Sequence, residues 1–343
     1  MGKAQAQTAR PNIIFILTDD QPPSTLSKMP ILQERLAGHG MTFRSTVSSN
    51  PLCCPSRATF QTGQYTHNHG IRTNTYPNGG WQRFGELDLH QSTVATWLNG
   101  AGYRTGYFGK YMNEYDTTYV PPGWNKWFVR VGAPRDGKVN DNGTIRAING
   151  HQDSIYKNQA VDWVKFAAPL EKPFFLSVGF YAPHKPGIYD PKYADRFQGA
   201  TVPRDLSFNE ADVSDKPEYI RNQRLLSQAE ISDLDTLYRT QLRSLKTVDE
   251  AVGQITDALK REGELSNTYF VFYTDNGTHL GQHRLRHGKQ SPYRTDTRFP
   301  LIVRGPGVAQ NATTTNLASS NDIAPTLARR VSDAVFRCLV ADS

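Results

Sequence analysis

The sequence predicts an α/β fold, a mostly parallel central sheet flanked by helices. Two observations carry that reading. Short apolar, β-branched or aromatic runs recur between longer amphipathic stretches, which is the pattern of strands alternating with helices rather than of a sandwich. The runs at Asn12–Thr18 (NIIFILT) and Tyr269–Thr274 (YFVFYT) are apolar nearly throughout, as strands are when both sheet faces are covered. With 343 residues the chain can form one large domain or two modest ones, and no repeat, low-complexity tract or linker divides it.

Along the chain, strands are expected at Asn12–Thr18, Arg104–Phe108, Pro173–Phe180, Tyr269–Thr274 and Pro300–Arg304. Helices are expected at Pro30–Ala37, Ser56–Thr62, Val94–Gly100, Ile155–Ala167, Ala229–Lys260 and Asp322–Val331. Pro55 and Ser56 suit the opening of the second, because proline is tolerated in a first turn and serine caps well. Asp153 or Ser154 is the expected cap of the fourth, and Gly263 the stop of the fifth. The intervals 111–150 and 181–227 are rich in Pro, Gly, Asn and Asp and keep no period, so they read as long functional or mobile loops.

Composition narrows the function. No window approaches the run of about 18 apolar residues that a membrane span needs, and the first ten residues, read as a disordered tail, lack the apolar core of a secretory signal. Three cysteines, Cys53, Cys54 and Cys338, cannot build a disulfide framework, and no CxxC pair suggests zinc. A net charge of +7 favours anionic partners. The basic residues are interleaved with acidic ones, which argues against a nucleic-acid stripe.

Four of the five expected strands end in residues that carry chemistry: Asp19 and Asp20, Gly109 and Lys110, His184 and Lys185, Asp275 and Asn276. In open α/β sheets ligands sit beyond the carboxyl ends of the strands, so these scattered residues converge on one rim. Neighbouring carboxylates repel unless a cation lies between them, and oxygen-only ligands suit calcium or magnesium. A helix cap or solvated turn is the alternative for the Asp19–Asp20 pair. The segment NPLCCPSRATFQTGQY places two cysteines near a helix N-terminus, where an anion is stabilised, with Arg57 beside them as a fork for a tetrahedral oxyanion. There a low-pKa thiol and a buried structural cysteine pair are both open readings. His67, His69, His279 and His283 are candidate substrate contacts, with satisfied structural histidines as the alternative.

Cys53-Cys54-Pro55-Ser56-Arg57 resembles the C-x-P-S-R signature of type I sulfatases, and three companion motifs stand in the family's order: PNIIFILTDDQ, GYRTGYFGK, and YTDNGTHLGQH with Lys289 after it. The resemblance runs from about Arg10 to Leu327. Within the family, LCCPSRATFQTGQYTHNHGI, GKYMNEY, PPGW and FVFYTDNGTHLGQH are most similar to the N-acetylglucosamine-6-sulfatase-like branch. Many sulfatases carry a histidine two residues after the GK lysine; Met112 stands there, a departure that branch shares.

The resemblance implies an alkaline-phosphatase-like sandwich in which residues 11–331 form the sulfatase catalytic domain. Residues 332–343 make an atypical, truncated end, which leads us to expect that the C-terminal subdomain is missing. Cys53 would be converted to formylglycine by a formylglycine-generating enzyme, and its hydrate would attack the sulfur of a sulfated sugar or glycan. Asp19, Asp20, Asp275 and Asn276, with the residue at position 53, would hold a calcium ion, or magnesium in its place. Arg57 would grip the sulfate oxygens, Lys110 and Lys289 would neutralise developing charge, Asp275 would accept the nucleophile's proton, and His184 would protonate the departing alcohol. Relatives are mostly exported or lysosomal, whereas this chain shows no address of its own. The competing readings are a phosphonate monoester or phosphodiester hydrolase of the same superfamily and a non-catalytic binder of sulfated glycans.

Overall fold

A computed structural model describes residues 10–134 and 136–329. The expected tail, the helix beyond Arg329 and the atypical end at 332–343 lie outside the described residues. One ten-stranded sheet organises the molecule. Its strands are β1 (Asn12–Thr18), β2 (Met41–Val47), β3 (Arg104–Gly109), β4 (Lys126–Val131), β5 (Lys138–Asp141), β6 (Thr144–Ala147), β7 (Phe174–Gly179), β8 (Thr268–Thr274), β11 (Leu301–Arg304) and β12 (Ala312–Ser319), with a small hairpin of β9 (His279–Leu280) and β10 (His287–Gly288) beside it.

Across the sheet the order is β12-β2-β11-β8-β1-β7-β3-β4-β5-β6. The centre, β8-β1-β7-β3-β4, is parallel throughout, whereas β11 runs antiparallel to both neighbours and β4-β5-β6 forms an antiparallel meander. Side chains alternate across a strand, and β1 shows what that means here. Ile14 and Ile16 enter the core beneath the long helices Gln152–Ala167 and Gln228–Arg261, while Ile13, Phe15 and Leu17 enter the opposite core with Phe60, Val94 and Leu327. Helices cover both faces, so NIIFILT can be apolar nearly throughout.

The interval 111–150, expected as irregular, holds three strands. Its strands are short and separated by turns with positive φ at Gly132, Gly137, Asn142 and Gly143, so the turn residues masked the runs between them. The cap of Gln152–Ala167 also differs from expectation: His151 accepts from the Ser154 N–H, and Asp153 instead binds the N–H groups of Tyr181 and Ala182 at 3.0 and 2.8 Å. Gln228–Arg261 opens with a capping box between Ser227 and Glu230 and ends before Gly263, which has φ +76.

Candidate active site

β1, β3 and β7 run side by side in one direction and β8 joins on the far side of β1, so their carboxyl ends deliver Asp19, Asp20, Lys110, His184, Asp275 and Asn276 to one rim. Cys53 reaches them from a helix. That helix spans Cys53–Thr62 and starts earlier than Ser56: Cys53 is its first residue, and Leu52 before it is extended and offers no side-chain cap. Asn74, from a loop twenty residues on, supplies the missing acceptor to the Cys54 N–H at 2.9 Å. Ser56 is therefore no cap, and its hydroxyl meets the Tyr273 hydroxyl at 3.1 Å. Gly63, at φ +71, ends the helix in the left-handed conformation that glycine adopts without strain.

Three acids and three bases surround Cys53. Its Sγ lies 3.4 Å from Asp19 Oδ1, 4.0 Å from Asp20 Oδ1 and 2.6 Å from Lys289 Nζ. Lys289 Nζ also donates to Asp20 Oδ1 at 2.5 Å, and Lys110 Nζ pairs with Asp19. Arg57 Nε donates to Asp275 Oδ2 at 2.9 Å, and its Nη1 donates to the carbonyls of Lys110 and Tyr111 at 2.8 and 3.1 Å. Asp275 Oδ1 accepts the N–H groups of Asp20 and Asn276 at 3.1 and 2.9 Å, with Asp20 held at φ 65. His184 stands at the edge: Nδ1–H donates to the Lys185 carbonyl at 2.7 Å and Nε2 faces Asp20 Oδ2 at 3.6 Å.

The electrostatics follow from burial and charge. Burial pushes the Asp19 carboxyl up, but Lys110, His184, Arg57 and Lys289 outweigh it and hold the group well below the usual carboxylate range. Burial, then the neighbouring Asp19, pushes Asp275 up to about 6. Burial and Asp19 push the Cys53 thiol up to about 12, and burial pushes Cys54 up to about 11. Both thiols are neutral at physiological pH, which disfavours the reading of Cys53 as a low-pKa thiolate nucleophile.

A hard cation suits the donor set. Oxygens of Asp19, Asp20 and Asp275 lie within 4.8 Å of one another. Asn276 Nδ2 donates to Asp20 Oδ1 at 2.7 Å, and its Oδ1 is buried without a hydrogen-bond partner. Three carboxylates and a spare amide oxygen are ligands for calcium or magnesium rather than for a soft metal. Arg57 Nη2 is buried without a hydrogen-bond partner, 3.9 Å from Asp19 Oδ2, a spare donor on a group already fixed by three bonds.

The other candidate histidines are committed elsewhere. His279 Nδ1 meets both oxygens of buried Asp296 at 3.0 Å, and His283 Nδ1 meets Glu210 Oε2 at 2.6 Å. His69 is buried, accepts the Ile71 N–H at 3.0 Å and meets Thr59 Oγ1 at 3.0 Å; His67 stacks on exposed Tyr65. Sequence reasoning missed Asn74, which no motif marks, and His287, whose Nε2 is buried without a partner.

Residues 11–332 match the sulfatase family. The chain is 33% identical over 343 residues to human N-acetylglucosamine-6-sulfatase, covering 94% of this chain and 61% of that protein. It is 35% identical over 335 residues to the extracellular sulfatase SULF-1 homolog of Drosophila melanogaster, covering 94% and 30%. Among solved structures, a protein in complex with its substrate D-glucosamine-2-N,6-O-disulfate superposes with a TM-score of 0.78 at 23% identity, covering 94% of this chain and 76% of that one. The chain thus spans less than two thirds of the length of the two relatives named.

Proposed function

Because the chain belongs to the sulfatase family, we propose that it hydrolyses the sulfuric ester of a sulfated sugar, and that the sugar is an amino sugar or glycan carrying its sulfate on a primary 6-hydroxyl. The observation that carries this reading is the ring of Asp19, Asp20, Asp275, Arg57, Lys110 and Lys289 around buried Cys53. Conversion of Cys53 to formylglycine would supply, as a hydrated aldehyde, an oxygen nucleophile that the neutral thiol does not provide. A calcium ion held by Asp19, Asp20, Asp275, Asn276 and the residue at position 53 would supply charge stabilisation to a sulfate oxygen.

The chain's own residues do the rest. Arg57, fixed through Nε and Nη1, turns its spare Nη2 donor to the sulfate oxygens. Lys110 and Lys289 bring cationic ends against Asp19 and against position 53, where negative charge develops as the ester bond lengthens. Asp275 accepts the nucleophile's proton. His184 keeps Nδ1–H on the Lys185 carbonyl and presents Nε2, 3.6 Å from Asp20 Oδ2, as the atom that delivers a proton to the departing alcohol.

The test is peptide mass spectrometry across residue 53 in protein co-expressed with a formylglycine-generating enzyme, together with turnover of 4-nitrophenyl sulfate and N-acetylglucosamine 6-sulfate. Formylglycine at 53, activity lost in Cys53→Ala and kept in Cys54→Ala are expected. An aldehyde probe that labels Cys53→Ala, or faster turnover of an aryl phosphonate than of the matching sulfate, overturns it.

A further inference from the structure

β4 runs parallel to β3 and ends on the rim that carries Lys110 and His184. Phe108 pairs with Phe128 and Gly109 with Val129, so the next position of β4, Arg130, stands one strand over from Lys110. Every other cation deep in this site has an acid against it. Arg130 does not: the residue is only 9% exposed, its Nη1 is buried without a hydrogen-bond partner, and among the described residues it forms no ion pair.

What holds Arg130 is an aromatic ring. Its Cζ lies 5.3 Å from the Tyr181 ring centroid. The same ring has Lys110 Nζ at 5.8 Å and the His184 ring at 4.8 Å, so Tyr181 is flanked by the unpaired guanidinium and by two residues of the reacting centre. Asp153 is near enough to feel the charge of Arg130, but both its oxygens are committed to the N–H groups of Tyr181 and Ala182. An unpaired guanidinium so deeply buried is unfavourable unless an anion completes it. Its planar fork fits the paired oxygens of a carboxylate or a sulfate.

We infer that Arg130 is a second anion-recognition point of this site, binding a carboxylate or sulfate substituent of the substrate other than the sulfate that is removed. The inference rests on the sulfatase reading. It makes Arg130 a specificity residue that selects sugars with two negative groups and takes no part in bond cleavage.

Steady-state kinetics of wild type, Arg130→Met and Arg130→Lys test it on 4-nitrophenyl sulfate, glucosamine 6-sulfate, glucosamine bearing both N- and 6-O-sulfate, and 6-sulfated glucosamine linked to a uronate. Wild type should prefer one of the two doubly charged sugars, and which one identifies the oxyanion. Arg130→Met should raise KM for that sugar by about 10- to 100-fold, the value of a charge-assisted hydrogen bond, while the singly charged substrates change less than about twofold. Arg130→Lys should fall between. Because the replaced cation is unpaired, the Tm of Arg130→Met should hold or rise. Equal loss on all substrates, no wild-type preference for a second anion, or a lowered Tm with uniform loss would overturn the inference. If wild type cleaves none of these esters, the sulfatase reading fails by itself. Calorimetric titration of the same sugars then decides Arg130 separately: tighter binding by wild type than by Arg130→Met supports it, and equal affinity refutes it.

Discussion

Replacing Arg57 with alanine should destabilise the protein through Asp275 more than through the contacts of the arginine itself. The two side chains are 1% and 0% exposed and meet at 2.9 Å, and Arg57 Nη1 also serves two carbonyls. Arg57→Ala leaves buried Asp275 without its counter-charge and the Tyr111 carbonyl short of a donor, while the Lys110 carbonyl keeps the Tyr107 hydroxyl at 2.6 Å. Breaking one side of such a pair costs about 3–5 kcal/mol. At about 2.1 cal/mol/K per residue, a chain of this size unfolds with roughly 0.7 kcal/mol/K of entropy, so Tm should fall by about 4–7 °C. Calorimetry on Arg57→Ala, Asp275→Ala and the double variant measures this, with the double variant recovering at least about 2 kcal/mol of the summed losses. A calcium ion at the oxygen cluster would offer Asp275 a second counter-charge, so on the proposed reading the Arg57→Ala loss should shrink when calcium is added. A loss below about 1 kcal/mol, or a double variant whose losses simply add, would refute the claim that Asp275 depends on Arg57.

Exhaustive chelation should lower both activity and Tm of purified active protein; if neither moves, the oxygen cluster of Asp19, Asp20, Asp275 and Asn276 holds no ion. His184→Ala should impair hydrolysis of a sugar 6-sulfate far more than that of 4-nitrophenyl sulfate, because a primary alkoxide needs the proton and a phenolate does not; equal losses would remove the acid role. His69 is buried as the neutral ring, with burial pushing its pKa down to about 4 from 6.5. The unfolded chain therefore takes up that proton first, and stability should decline as pH falls from about 6.5 to about 4, by at most about 3 kcal/mol. Urea titrations across that range should show a shallower decline in His69→Gln, and an identical slope would mean another group titrates.

The strands that carry the site were legible because the centre of a doubly covered sheet must be apolar on both faces, and the residue that ends such a run stands out against it. Asp19 after NIIFILT and Asp275 after YFVFYT are visible for that reason. Edges obey a weaker rule. β12 (ATTTNLAS) is largely exposed or half-buried and β2 only partly covered, so neither makes a distinctive run. β4 (KWFVRV) was obscured by the turn-rich sequence around it, and Arg130 went with it. Asn74 was illegible in principle: that a loop side chain caps the helix of Cys53 depends on where a turn returns in space, which no local pattern encodes.

The site also imposes a schedule on the chain's synthesis. Cys53 is wholly buried, with Lys289 Nζ at 2.6 Å and Asp19 and Asp20 beside it, so an enzyme converting it as proposed above could not reach it in the finished fold. But Lys289 follows Cys53 by 236 residues, and β8, which carries Asp275 against β1, is made nearly as late. At about 5–20 residues per second, a ribosome takes roughly 10–50 s to cover that distance. During that interval the thiol exists without the residues that enclose it. If Cys53 is converted to formylglycine, the long sequence separation that makes the site hard to assemble is also what would leave the cysteine open to conversion, and a chain whose synthesis were much faster, or whose modifying enzyme arrived late, would close over an unconverted cysteine.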